Sequence, residues 1–169
     1  MKAPNVLITG TPGCGKTTFC EKLKSLTNLR HIEVGALVRK HQCHTGRDEK
    51  FDSYMLDDDK LIEVLEPELE KGGNLVDFHT SYVFPEELID LVVVLRTDNT
   101  VLYERLENRK YSAIKIRENI EAEIMQVCLD EARDNYDEEI IVELQNDTTE
   151  QLERNLKTVA EWITSHQSK

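Results

Sequence analysis

Gly10-Thr11-Pro12-Gly13-Cys14-Gly15-Lys16-Thr17 fills the phosphate-loop pattern G-x-x-x-x-G-K-[ST] with no residue left over. A triphosphate presents clustered negative oxygens. A concave turn of backbone N–H groups at the mouth of a helix holds them where the helix dipole adds favourable charge. The glycines at 10, 13 and 15 let the backbone approach phosphate and accept positive φ. In this pattern Lys16 reaches the outer phosphates and the Thr17 hydroxyl ligates magnesium. The flanks agree: Asn5-Val6-Leu7-Ile8-Thr9 reads as a strand, and Phe19, Cys20, Leu23 and Leu26 recur at helical spacing after the loop.

Working outward, Arg30 to Val34 reads as a short second strand, Gly35 to about His41 as a short helix, and His44 to Tyr54 as an exposed polar loop. Asp57 is a good N-cap for a helix with Leu61, Ile62, Leu65 and Leu69 on one face, which ends at Gly72-Gly73 and which Pro67 should bend or weaken. Asn74 to Phe78 is another strand, and the apolar run Leu91-Val92-Val93-Val94-Leu95 suits a central strand covered on both faces. A helix spans Asp98 to Arg109, and a polar link runs from Lys110 to Ala113. A single long helix then carries Ile116, Ile120, Ile124, Val127 and Cys128 on one side, before a last strand from Glu139 to Leu144 and an amphipathic closing helix. This alternation predicts an α/β fold in three layers with a parallel sheet of about five strands, and ligands at the carboxyl ends of those strands.

The 169 residues, 39% hydrophobic, suffice for one substantial core and predict one domain. A net charge of -12, from 33 acidic and 21 basic residues, argues against extensive contact with a nucleic-acid backbone. The sequence shows no signal-peptide character and no run near the ~20 apolar residues of a membrane span, so the expectation is a soluble intracellular protein without membrane contact. Cys14, Cys20, Cys43 and Cys128 form no Cys-x-x-Cys pair and read as reduced thiols. His41, Cys43 and His44 lie close in sequence but lack a fourth ligand at a recognisable spacing, and read as a polar helix end.

Four further features bear on phosphate chemistry. Asp77, at the end of an apolar strand, is placed to hold magnesium together with Thr17. Arg39, on the short helix past the second strand, can fork onto the phosphate of a second substrate. Arg105 and Arg109 share a helix face at the base of the polar link, where closure would bring them onto a transferring phosphoryl group. His79 is the candidate for orienting a hydrolytic water. No Asn-Lys-x-Asp guanine motif occurs.

These blocks, together with Pro4-Asn5, Val34-Gly35, Val76-Asp77-Phe78-His79, Leu95-Arg96-Thr97-Asp98 and Val101-Leu102-Tyr103-Glu104-Arg105-Leu106-Glu107, make the chain resemble the adenylate kinases, most closely their short nuclear isoenzyme 6 branch. The resemblance covers nearly the whole chain. It implies a P-loop NTPase fold with a nucleoside-monophosphate segment around 33–56 and a short lid around 108–118. ATP would lie on the loop Gly13-Cys14-Gly15 with Lys16, Thr17, Thr18 and Arg109, and AMP on Arg39. The implied reaction is magnesium-dependent transfer from ATP to AMP, giving ADP, with Lys16, Asp77, His79, Arg105 and Arg109 in the catalytic set. ATP hydrolysis coupled to release of a protein partner is the alternative. The resemblance also implies nuclear as well as cytoplasmic residence, and a role in small ribosomal subunit maturation through a basic ribosomal protein, which an acidic chain suits electrostatically. Two departures stand out. Ala36 replaces the aspartate that common adenylate kinases carry one residue after the equivalent of Gly35. No arginine follows Asp77 before Arg96.

Overall fold

The computed structural model describes residues 2–48 and 53–167. Five parallel strands form the central sheet: β1 (Val6–Thr9), β2 (Arg30–Glu33), β5 (Asn74–Asp77), β6 (Leu91–Arg96) and β7 (Ile141–Gln145), in the order β2-β5-β1-β6-β7. Val6 of β1 is in register with Leu75 on one side and Leu91 on the other. β1 is therefore the middle strand, and the loop that follows it opens at the carboxyl edge of the sheet, between its two neighbours.

Strand side chains alternate between faces, so the sheet divides the core in two. Leu7, Val76, Val92 and Val94 pack under Leu61, Leu65 and Leu69 of α3 (Asp58–Lys71) and under Leu129 and Ala132 of α6 (Val127–Asn135). Val6, Ile8, Leu75, Val93 and Leu95 pack under Phe19, Cys20 and Leu23 of α1 (Lys16–Thr27) and Leu156, Val159 and Ile163 of α7 (Thr149–Gln167). A third, smaller cluster of Leu102, Leu106 and Ile116 joins α4 (Asn99–Asn108) to α5 (Ala113–Ile124). No described helix is long and apolar enough to cross a membrane.

Several expectations need correction. The stretch from His44 to Tyr54 is not a plain loop: β3 (His44–Asp48) and β4 (Ser53–Leu56) pair antiparallel, while residues 49–52 of the expected monophosphate segment lie outside the described residues. Backbone pairing carries this hairpin, and its base is tied by Cys43 N to Val38 O and Asp57 N to Cys43 O, both 2.9 Å. The helix expected to run on from Ile116 through Cys128 breaks at Gln126, whose φ of 57° is left-handed, leaving Ile124 and Val127 exposed rather than on a buried face. Leu26 is likewise exposed. Pro67 sits within α3 without ending it. The other boundaries agree to within a few residues. The short helix is α2 (Val34–Lys40), and Asp57 caps α3 by accepting from Lys60 N. His41 follows α2, and Cys43 is buried.

Candidate nucleotide site

The loop between β1 and α1 has the backbone its glycines predict. Gly10, Gly13 and Gly15 have φ of 149°, 97° and 93°. At Gly13 a Cβ would come within 2.8 Å of Leu102 Cδ1, so α4 itself presses against the loop and admits no side chain. Lys16 Nζ donates to the carbonyls of Gly10 (2.9 Å) and Thr11 (3.3 Å), which fixes the ammonium inside the loop's curve. The Cys14 thiol is buried, that burial raises its pKa, and its sulfur accepts a long contact from Lys16 Nζ at 3.9 Å. Thr18 is exposed in the first turn of α1.

Asp77 ends β5 beside Ile8 and is 4% exposed. Its Oδ2 accepts from Thr17 Oγ1 at 2.9 Å and lies 3.0 Å from His31 Nε2. A hydroxyl and a carboxylate side by side at the mouth of the loop form a hard, all-oxygen donor pair, which fits magnesium.

From this corner opens a cleft of about 770 Å³. Lys16, Thr17, Asp77 and His79 line one wall, Glu33 and Arg39 another, and Arg109, Tyr111 and Lys115 come from the α4–α5 region. The Arg39 guanidinium is 3.9 Å from Glu33 Oε1, with both side chains half exposed. Lys115 Nζ stands 4.2 Å over the Tyr111 ring. His79 is an exposed side chain of the cleft lining, crowded by the groups around it. Loss of hydration there, then the charges of Lys16 and Lys115, oppose protonation against a weaker pull from Asp77 and lower its pKa to about 4. The ring is therefore neutral at neutral pH.

Arg105 takes a different place from Arg109. Its guanidinium donates to Gly13 O (3.3 Å), Asn146 O (3.1 Å) and Asp147 O (3.1 Å), and it is not among the residues lining the cleft. It is a strut that ties the phosphate loop to the turn after β7. Asn146 reinforces the strut by donating from Nδ2 to Cys14 O at 2.8 Å.

Sequence reasoning passed over a second strut. Glu123, in the last turn of α5 and 2% exposed, accepts from Thr11 Oγ1 (3.1 Å), Arg96 Nε (3.1 Å) and Thr97 N (2.8 Å). It links the phosphate loop, the end of β6 and α5 in one buried contact. No local pattern announces a carboxylate whose partners lie 112 and 27 residues away. Lys115 was also missed, although its place in the first turn after the Ser112 cap is a readable signal.

Comparison with known proteins agrees with this geometry. The family model described as an AAA domain matches residues 6–126. The adenylate kinase isoenzyme 6 homolog of Schizosaccharomyces pombe is 52% identical over 162 residues, covering 96% of this chain and 93% of that protein. The chain belongs to the adenylate kinase isoenzyme 6 family. The family's homolog from Dictyostelium discoideum is 47% identical, over 95% of this chain and 91% of its own length. Among solved structures, a gluconokinase from Sinorhizobium meliloti superposes with a TM-score of 0.61 at 17% identity, over 97% of both chains, a likeness of fold. Family and fold together make this isoenzyme 6 relative a P-loop phosphotransferase of the nucleotide kinase and ATPase kind.

Proposed function

We propose that the protein transfers the terminal phosphoryl group of ATP to AMP. The observation that carries this reading is the cleft itself. Lys16, Thr17 and Asp77 stand at one end, and Arg39, on the element after β2, faces the same space. An acceptor that is already an ionised phosphate needs no general base, so the residues' task is positioning and charge neutralisation. Lys16 exchanges its loop carbonyls for the outer phosphates. Arg39 leaves the exposed Glu33 for the acceptor phosphate, an exchange made easy by the 3.9 Å pairing. Arg109 and Lys115 bring positive charge from the α4–α5 region, which acts as the lid around 108–118, and the α2 and hairpin segment around 33–56 acts as the acceptor side. Thr17 and Asp77 are the residues to hold magnesium, which when bound neutralises phosphate charge. Arg105 serves the reaction by holding Gly13 in place.

One observation favours ATP hydrolysis as a second activity of the same site. His79, two residues beyond Asp77 and neutral, lines the cleft and is suited to hold a water. A basic small-subunit ribosomal protein is the partner proposed for that activity, supported by the net charge of -12. Steady-state turnover of magnesium ATP with and without AMP, CMP, GMP and UMP tests the reading. AMP-dependent ADP formation is expected, and phosphate release indifferent to every acceptor would replace it with the hydrolytic reading.

A further inference from the structure

Asp77 belongs to a second constellation besides the one facing the phosphates. Its Oδ2, His31 Nε2 and Cys20 Sγ all lie within 4.8 Å of one another, the one such group of His, Cys, Asp or Glu ligands among the described residues. The three come from three elements: β5, the edge strand β2 and α1. Cys20 lies three residues beyond Thr17 on α1, so both project from the same helix face toward Asp77. Cys20 and Asp77 are buried, and the His31 side chain is 12% exposed. The phosphate-loop pattern requires neither Cys20 nor His31.

We propose that Cys20, His31 and Asp77 form a binding site for a divalent transition ion of the zinc class, and that its occupation draws Asp77 Oδ2 away from Thr17 and suppresses nucleotide turnover. Sulfur, imidazole nitrogen and carboxylate oxygen are the donor set zinc selects, and magnesium disfavours the first two. A thiolate and a carboxylate cancel the ion's charge with the imidazole neutral, so the filled site is electrically neutral within the protein interior. Tetrahedral zinc with bonds of ~2.0–2.3 Å needs ligand separations of roughly 3.3–3.5 Å. The His31–Asp77 pair is already at 3.0 Å, and a movement of about 1 Å by the sulfur closes the rest. Asp77 lines the cleft, which gives an ion its access route. On binding, the Cys20 thiol loses its proton to solvent as the sulfur–metal bond forms. His31 exchanges its contact with Asp77 for ligation through the Nε2 lone pair, its ring proton on Nδ1, and solvent supplies the fourth ligand. No electron is transferred. The inhibitory half of the proposal rests on the phosphotransfer reading above; the binding half does not.

The test uses the full chain stripped with a chelator and titrated with Co²⁺ and Zn²⁺, beside Cys20→Ala and His31→Phe, each checked for folding by circular dichroism. One equivalent of Co²⁺ should give a thiolate charge-transfer band and release protons. Both variants should weaken Zn²⁺ binding, measured against a chromogenic chelator, by about tenfold or more. Cys14, Cys43 and Cys128 remain in Cys20→Ala, so an unchanged band there, or unchanged affinity in both variants, overturns the site. With buffered free Zn²⁺ and excess Mg²⁺, turnover by the native chain should fall while Cys20→Ala resists. Binding without inhibition overturns the regulatory half. A chain that binds zinc at these residues yet turns over no nucleotide refutes the phosphotransfer reading and leaves the metal site standing.

Discussion

Replacing Glu123 by Gln changes one atom of a buried hub and tests whether that hub holds the phosphate loop. The native carboxylate accepts from three donors, and glutamine must present an amide nitrogen to one of them. Arg96, 13% exposed, simultaneously loses its close counter-ion. Removing one partner of a buried pair costs about 3–5 kcal/mol. Two features of the structure place the loss at the lower end: Glu143 Oε1 remains 3.6 Å from Arg96, and Arg96 Nη2 keeps its bond to the Glu123 carbonyl at 2.9 Å. For a chain of this size a loss of about 3 kcal/mol lowers Tm by roughly 6–12 °C. Urea unfolding followed by circular dichroism gives the free energy, and ATP affinity by calorimetry gives the second readout, since the amide nitrogen must face either Thr97 N or the shared donors Thr11 and Arg96, and each arrangement disturbs the hub beside the phosphate loop. The expected result is reduced stability together with weaker ATP binding. A loss under about 1 kcal/mol with unchanged affinity would show that the donors around residue 123 find other partners, and would refute the hub.

Lys16→Ala should leave the fold intact and cut turnover by about 100- to 1,000-fold, the range for losing one charge-stabilising donor; activity above about one tenth of native would sink the phosphate-loop assignment. Arg39→Ala should raise KM for AMP by about 10- to 100-fold with little change for ATP, because a charge-assisted bond to the acceptor phosphate contributes ~1.5–3 kcal/mol, and equal impairment for both substrates contradicts its placement. His79→Ala should lower ATP hydrolysis more than AMP phosphorylation, and a ratio of the two rates within about twofold of native removes the ring from the hydrolytic reading. Because the walls of the cleft, with Lys16 and Lys115, hold the His79 pKa at about 4, the ring gains its proton only as pH falls toward that value. An activity limb near the ordinary histidine pKa of ~6.5 that vanishes in His79→Ala would contradict that environment.

The parts of the molecule legible in the sequence are those whose signal is local. The phosphate loop, the apolar run of β6 and the Asp57 cap each carry their cause within a few residues, and each appears where expected. The β3–β4 hairpin hid because its polar residues offer no apolar alternation, and it is held by backbone bonds at its base. The break at Gln126 hid because apolar residues continue across it at helical spacing, and spacing does not report φ. Arg105 and Arg109 look equivalent on one helix face. Only the carbonyls gathered around Arg105 distinguish a strut from a cleft cation. Glu123 and His31 were invisible for a related reason: their roles exist in contacts between elements far apart in the chain.

The strand order has a consequence for how this chain comes into being. Of the strands in this sheet β1 leaves the ribosome first, yet both of its neighbours, β5 and β6, are made much later, so it waits unpaired through the residues from Gly10 to Gly73 before β5 begins. Until Leu95 arrives to lie against Gly10 and α4 to press on Gly13, the glycine loop has no walls and samples the freedom that makes glycine costly to order. The nucleotide-binding turn, encoded ahead of the elements that wall it, therefore acquires its shape only after they are made, and a nascent chain that ends before β6 carries the whole motif without the concavity that gives it a use.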